Sequence, residues 1–151
     1  MRMLQRNFID NNLLVSFNLA VGVFFSPIAR GFLAGQFQDN APNDLRAYVP
    51  YMRGDNLKEN AAFVKEIEAM ASKKDITLAQ LSLAWVINQG DDVFPIPGTT
   101  KLHHLEDNVK ASEVILTAEE MELIANAAAK IKGERGDERY MKMAFNSQQS
   151  K

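Results

Sequence analysis

Two short apolar runs constrain this chain more than anything else in it. Ala20-Val-Gly-Val-Phe-Phe25 is a continuous β-branched and aromatic stretch that stops at Ser26-Pro27. Val93-Phe-Pro-Ile-Pro97 is the second, with prolines marking its ends or irregular backbone. A run without polar alternation suits a strand buried on both faces, as in a parallel sheet, and proline cannot continue a ladder. A loop and two helical patterns lie between the runs, and strands alternating with helices imply parallel pairing under helical cover. Two strands are too few to make a sheet with two protected edges.

The helical patterns are legible by period. Phe8 to Asn18 carries Ile9, Leu13, Leu14 and Phe17 at helical spacing and predicts a short amphipathic helix. Gly31 to Asn56 mixes Gly, Pro, Asn and Asp with isolated aromatics and reads as a long excursion with at most short helical turns. Leu57 to Lys74 puts Phe63, Ile67, Met70 and Ala71 on one stripe and lysines and glutamates opposite, and Asp75 breaks it. A helix over Thr77 to Asn88 follows, with Thr77 as N-cap, a stripe of Leu81, Ala84, Trp85 and Asn88, and Gly90 as its stop. Leu102 to Ser112 reads as a helix carrying Leu105 and Val109. Thr117-Ala-Glu-Glu120 is a capping box that opens a last helix through Met121, Ile124, Ala128 and Ile131. From Gly133 onward the chain is polar and is expected to be loose.

Composition narrows the function classes. The 151 residues are one domain's worth, with 46% apolar and 24% charged side chains. A formal charge of −2 argues against a general polyanion surface, so no nucleic-acid partner is expected. The absence of Cys excludes disulfides, zinc-thiolate sites and Cys nucleophiles, and His103 and His104 are the only histidines, too few for a multi-His metal site. The longest apolar run, Leu19 to Phe25, is far short of the ~20 residues a membrane span needs, and the start of the chain turns polar too early for a secretory signal. A soluble, cytoplasmic protein is expected.

Chemistry is sought just past the strands, where α/β proteins bind ligands. Phe25, at the last position of the first strand, can stack on a planar ring or pack in the core. Gly31, in Ser26-Pro-Ile-Ala-Arg-Gly-Phe-Leu33, can let backbone amides approach a phosphate or can serve a simple turn. Pro97-Gly-Thr-Thr-Lys101 gathers free amides, two hydroxyls and a lysine at a helix start. That arrangement suits an anion, or else Thr99 or Thr100 merely caps the helix. His104, Asp107 and Asn108 follow on adjacent turns and can bond a base edge or form a solvated face. No general acid–base constellation of defined spacing is visible, nor is a nucleophile elbow, a Walker loop or a zinc-protease motif.

These segments resemble the C-terminal half of an aldo-keto reductase. Ser26-Pro-Ile-Ala-Arg-Gly-Phe-Leu-Ala-Gly35 resembles the family's YSPLGRGFLTG. TLAQLSLAWVINQGDDVFPIP, from Thr77 to Pro97, resembles TPAQLALAWVLAQG…VPIP, and Gly98 to Asn108 resembles GT(T/S)(K/R)xxxLEEN. The likeness runs nearly colinearly over roughly residues 13 to 132 and is nearest the plant and microbial reductases of the GRGFL type. It implies the last two to three strands of a (β/α)8 barrel, left incomplete in this chain, with NADPH extended across the C-terminal rim. Carried over, Phe25 takes the place of the aromatic shelf for the nicotinamide, usually Tyr. Ser26, Ile28, Arg30 and Gly31 take the loop along the pyrophosphate. Gly98, Thr99, Thr100 and Lys101 take the site of the adenosine 2′-phosphate. His104, where the family has Arg or Gln, joins Asp107 and Asn108, where it has Glu-Asn, at the adenine.

The family's catalytic Asp, Tyr, Lys and His lie on the first half of its barrel, and this chain opens near the sixth strand, with Met3-Leu-Gln5 as its remnant. The expectation is therefore a partial reductase domain over residues 1–132 and a polar tail over 133–151, with no catalytic residue of its own. Such a chain is expected to reduce a small carbonyl substrate only when completed by an N-terminal half-barrel, and to self-associate through open strand edges. The alternative is a non-enzymatic remnant or interaction module that binds nucleotide or a partner chain.

Overall fold

Residues 22–35 and 45–136 are described by the computed structural model of this chain. In order they form β1 (Gly22–Phe25), 3₁₀ turns at Ala29–Ala34, Leu45–Tyr48 and Pro50–Met52, and helices α1 (Gly54–Lys73) and α2 (Leu78–Ile87). Then come β2 (Val93–Ile96), α3 (Leu102–Lys110), a 3₁₀ turn at Ala111–Glu113 and α4 (Ala118–Ala128). The expected helix over Phe8–Asn18 and the remnant at Met3–Gln5 lie outside the described residues. No helix among them is long and apolar enough to cross a membrane.

Local chemistry sets the helix ends. Thr77 Oγ1 accepts the Gln80 amide at 3.1 Å while the Gln80 side chain accepts the Thr77 amide at 2.8 Å, which completes a capping box at α2. Thr117 and Glu120 do the same for α4, at 3.2 and 2.8 Å. α1 stops where Asp75 turns left-handed, with φ 54°. The Ile76 amide then reaches back to the Ala71 carbonyl and the Asp75 amide to that of Ser72, a Schellman closure built on Asp instead of the usual Gly. Gly90 is not the stop of α2. The helix ends at Ile87, and the side-chain amides of Asn88 and Gln89 bond the Ala84 and Trp85 carbonyls at 2.8 and 3.0 Å. The Gln89 side chain thus covers a last-turn carbonyl that a left-handed glycine cap would otherwise serve, and the Asn88 side chain adds a second bond to a carbonyl its own amide already reaches.

The main core lies between helices and loop, away from the strands. Leu57, Phe63, Val64 and Ile67 of α1 meet Leu78, Leu81 and Ala84 of α2 and Ile124 of α4. The excursion after β1 joins them with Phe32, Val49, Tyr51 and Met52, all buried. Two of the isolated aromatics of that segment, Phe32 and Tyr51, are therefore core residues, whereas Tyr48 is exposed, and full burial of one such as Phe32 is worth about 1.5–3 kcal/mol.

The two strands pair in parallel, with Gly22 opposite Val93 and Phe25 opposite Ile96, and are the whole sheet among the described residues. Burial on both faces, expected from the apolar run, is not what the sheet has. Phe24 packs with Val86 of α2, whereas Val23, Phe25, Phe94 and Ile96 face away from the helices and remain 37–55% exposed. A strand pair covered by helices on one side shows strand alternation however apolar its sequence, unless further chain covers the other side. α3 stops two residues short of Ser112 and buries no side chain; Leu102, Leu105 and Val109 are exposed.

Gly133 to Gly136 is not loose. Lys132 is bonded to Asn60 through both its amide and its carbonyl. Gly133 has φ 91°, and a Cβ there would come within 2.8 Å of the Tyr51 amide nitrogen. Arg135 and Gly136 are buried. Polar composition hid this, because the segment is held by bonds from the Asn60 and Arg30 side chains to its backbone and by one buried cation. The rest of the tail lies outside the described residues.

Candidate functional site

The register puts the two candidate segments side by side. With Phe25 opposite Ile96, Ser26 and Pro97 leave the same end of adjacent parallel strands, and the turns that follow share that rim. The end of a parallel strand pair is where backbone amides and the starts of following helices converge.

The first turn is strained. Ser26, Ala29 and Arg30 have φ of 51°, 50° and 56°, and Gly31 follows at 91°. Left-handed backbone costs a residue with a side chain about 1–2 kcal/mol, so three such residues in five need outside support. Tyr51 supplies part of it: its buried hydroxyl donates to the Ala29 carbonyl at 3.0 Å. The Ala29 amide bonds the Ser26 carbonyl at 2.9 Å and the Gly31 amide that of Ile28 at 3.0 Å, which closes the turn on itself. The Arg30 guanidinium donates to the Arg135 carbonyl at 2.9 Å.

The second turn is open. Gly98, Thr99, Thr100 and Lys101 are all exposed, and a Cβ at Gly98 would meet nothing within 4 Å. Thr99 Oγ1 accepts the Lys101 amide at 3.1 Å, so capping does occur here, but it reaches only the residue before the helix. No side chain caps α3 itself. The helix thus opens with an exposed ammonium and uncapped first-turn amides, a set that fits an anionic group. The ring of His104 lies 4.1 Å from that of His103, and Asn108 is half-buried one turn on. Asp107 borders a separate groove between α1, α2 and α3, with Gln80, Lys110 and Glu113.

Phe25 and Arg135 form the remaining feature of the rim. The Arg135 guanidinium lies 4.2 Å from the Phe25 ring centroid and donates to the Phe25 carbonyl at 3.2 Å. Phe25 keeps 37% of its surface exposed, so one face is covered and the other can be reached. A half-exposed ring with a fixed back fits a planar group stacked on its front.

The structure therefore brings Phe25, Ser26, Ile28, Arg30 and Gly31 to the same rim as Gly98, Thr99, Thr100 and Lys101, while His104, Asp107 and Asn108 extend along α3 away from it. Sequence reasoning missed Arg135 and Tyr51. Tyr51 looked like a loop aromatic, and Arg135 sat in a stretch read as tail. The one available signal was Asn60, a polar residue on the apolar stripe of α1, which marks where a distant backbone is clipped. The model of the aldo/keto reductase family matches residues 12–129, most of the chain, and the protein belongs to that family.

Proposed function

We propose that the rim formed by β1 and β2 is the cofactor-holding side of an NADPH-dependent aldo/keto reductase site acting on aldehydes or ketones. The observation that supports it is the register of Phe25 against Ile96, from which an aromatic shelf and an anion-ready turn emerge side by side. Family membership makes the chemistry oxidoreduction with a nicotinamide cofactor.

In this reading Phe25 offers its open face to the nicotinamide, and the closed turn from Ser26 to Gly31 lies along the pyrophosphate. Lys101, the Thr100 hydroxyl and the uncapped amides of α3 take the 2′-phosphate, and His104, Asp107 and Asn108 approach the adenine. No acidic side chain stands in the turn from Gly98 to Lys101 to accept a ribose hydroxyl, which favours NADPH over NADH. When bound, the cofactor supplies a hydride. The chain's own part is to grip and orient. Carbonyl reduction also needs an acid that delivers a proton to the substrate oxygen. Tyr51 cannot be that acid, because its hydroxyl is buried and donates to Ala29. In this reading the proton donor lies outside the rim residues named above.

A second reading rests on the uncovered sheet face. Val23, Phe25, Phe94 and Ile96 make a contiguous apolar surface on a sheet that has no further strand on either edge among the described residues. Such a surface drives association with another chain, which makes this protein an interaction module. Calorimetric titration with NADPH and NADH, together with sedimentation, separates the two. Saturable binding with NADPH the tighter supports the reductase site. Concentration-dependent association with no binding of either cofactor supports the interaction module instead.

A further inference from the structure

Arg135 is the one buried charged side chain among the described residues, 4% exposed. A guanidinium out of water is costly unless every donor is satisfied. The fold goes to some length to hold it there. Asn60 clips Lys132 from both sides, and Gly133 takes a left-handed turn against Pro50 and Tyr51 where no side chain fits. The Arg135 carbonyl then receives Arg30, its guanidinium bonds the Phe25 carbonyl, and the same group sits over the Phe25 ring.

We infer that Arg135 is the positioning residue of the Phe25 shelf, and that its charge behind the ring makes the site discriminate against a cationic ring in front of it. The inference rests on the reductase reading above. Its first half is geometric. An aromatic side chain at the end of a strand, at the edge of an uncovered face, is free to change rotamer. A planar cation stacked on one face and bonded to the same residue's carbonyl fixes the ring before any ligand arrives, so a stacked ligand loses less freedom on binding.

The second half is electrostatic. Arginine keeps its charge at every accessible pH, and here it stands 4.2 Å behind the ring centroid. A planar group stacked on the front lies at least about 8 Å from that charge. The oxidised nicotinamide ring is a cation and the reduced ring is neutral. The oxidised form therefore meets a repulsion that the reduced form does not. At an effective dielectric of about 20 and a separation of about 8 Å this amounts to about thirtyfold in relative affinity at low ionic strength. The arrangement favours capture of the reduced cofactor and release of the oxidised one, the direction that carbonyl reduction needs.

Two measurements on the full chain test this. Side-chain nitrogen–proton NMR is expected to show the Arg135 Nε–H shifted upfield by the Phe25 ring and protected from exchange, with both effects lost in Phe25→Leu. Calorimetric titration with NADPH and with NADP+ at low ionic strength is expected to show the preference for the reduced form falling about thirtyfold in Arg135→Met and surviving in Arg135→Lys. An Arg135 signal that ignores Phe25→Leu overturns the positioning role, and does so even if Arg135→Met fails to fold. A preference unchanged in Arg135→Met overturns the electrostatic role while leaving the cofactor site standing. A wild-type chain that binds neither form overturns the cofactor reading itself, and this inference with it.

Discussion

Asn60 holds Lys132 from both sides: its Oδ1 accepts the Lys132 amide at 2.8 Å and its Nδ2 donates to the Lys132 carbonyl at 2.7 Å. The same Nδ2 donates to the Tyr51 carbonyl at 3.0 Å, so one side chain on α1 ties together the two segments that support the rim. Asn60→Ala leaves one buried and two part-buried backbone groups without this partner, at about 1–3 kcal/mol for each left unsatisfied. We expect a loss of at least about 3 kcal/mol in urea unfolding, with hydrogen exchange accelerated first around Lys132 to Arg135. A loss below about 1 kcal/mol would mean that water replaces the clip.

Lys101→Ala is expected to weaken NADPH about tenfold or more and to leave NADH nearly unchanged, since a charge-assisted contact to phosphate is worth roughly 1.5–3 kcal/mol. Titration of both cofactors against both proteins checks this. Equal losses for the two remove Lys101 from the phosphate site.

Glu120 uses both carboxylate oxygens, one on Lys74 at 2.8 Å and one on the Thr117 amide at 2.8 Å. The Lys74 ammonium and then the Thr117 amide hold its carboxyl below the usual carboxylate range. A carboxyl with a lowered folded-state pKa contributes stability that is fully present above its unfolded value and is lost as pH falls through the folded one. Melting temperatures should therefore fall more steeply in acid for the wild type than for Glu120→Gln, and the two curves should converge at low pH. Parallel curves would show that the Lys74 contact contributes nothing.

Asp75 closes α1 with a left-handed backbone that glycine adopts without strain. We expect Asp75→Gly to raise stability by about 0.5–1 kcal/mol, seen as a higher urea midpoint at unchanged slope. A lower midpoint would show that the aspartate side chain supports the turn.

The chain alone is expected to give no measurable turnover of a reactive aldehyde such as 4-nitrobenzaldehyde, followed by NADPH absorbance. General acid catalysis typically contributes about 10²–10⁴ in rate, and a loss of substrate positioning removes more. Turnover that appears on mixing with a separately expressed N-terminal half-barrel supports the proposed division of roles. Turnover by the chain alone refutes it.

Most of the secondary structure was legible because it is local. The stripe of Phe63, Ile67 and Ala71 and the capping pair Thr117–Glu120 need no tertiary context, and the structure has both. What escaped depends on partners far along the chain. The burial of Tyr51 is set by Ala29 and by α1, and that of Arg135 by Phe25, at a sequence separation of 110. No period or composition encodes such a pairing. The same holds for the sheet: the Ala20–Phe25 run reads as buried on both faces, but which faces are covered depends on what packs there. At the rim, motif likeness brought out the two turns, but not the cation that backs the shelf.

The parallel pairing of β1 with β2 also sets an order of events for the folding chain. Gly22 finds Val93 nearly half the chain away, so this contact closes a large loop before it returns any stabilisation. The helices and their capping boxes close over a few residues and form on far shorter timescales. Contacts this distant in sequence slow folding. The strands, and the rim they carry, are therefore expected to pair after the individual helices have formed, and until then both apolar runs are bare to solvent and to other chains.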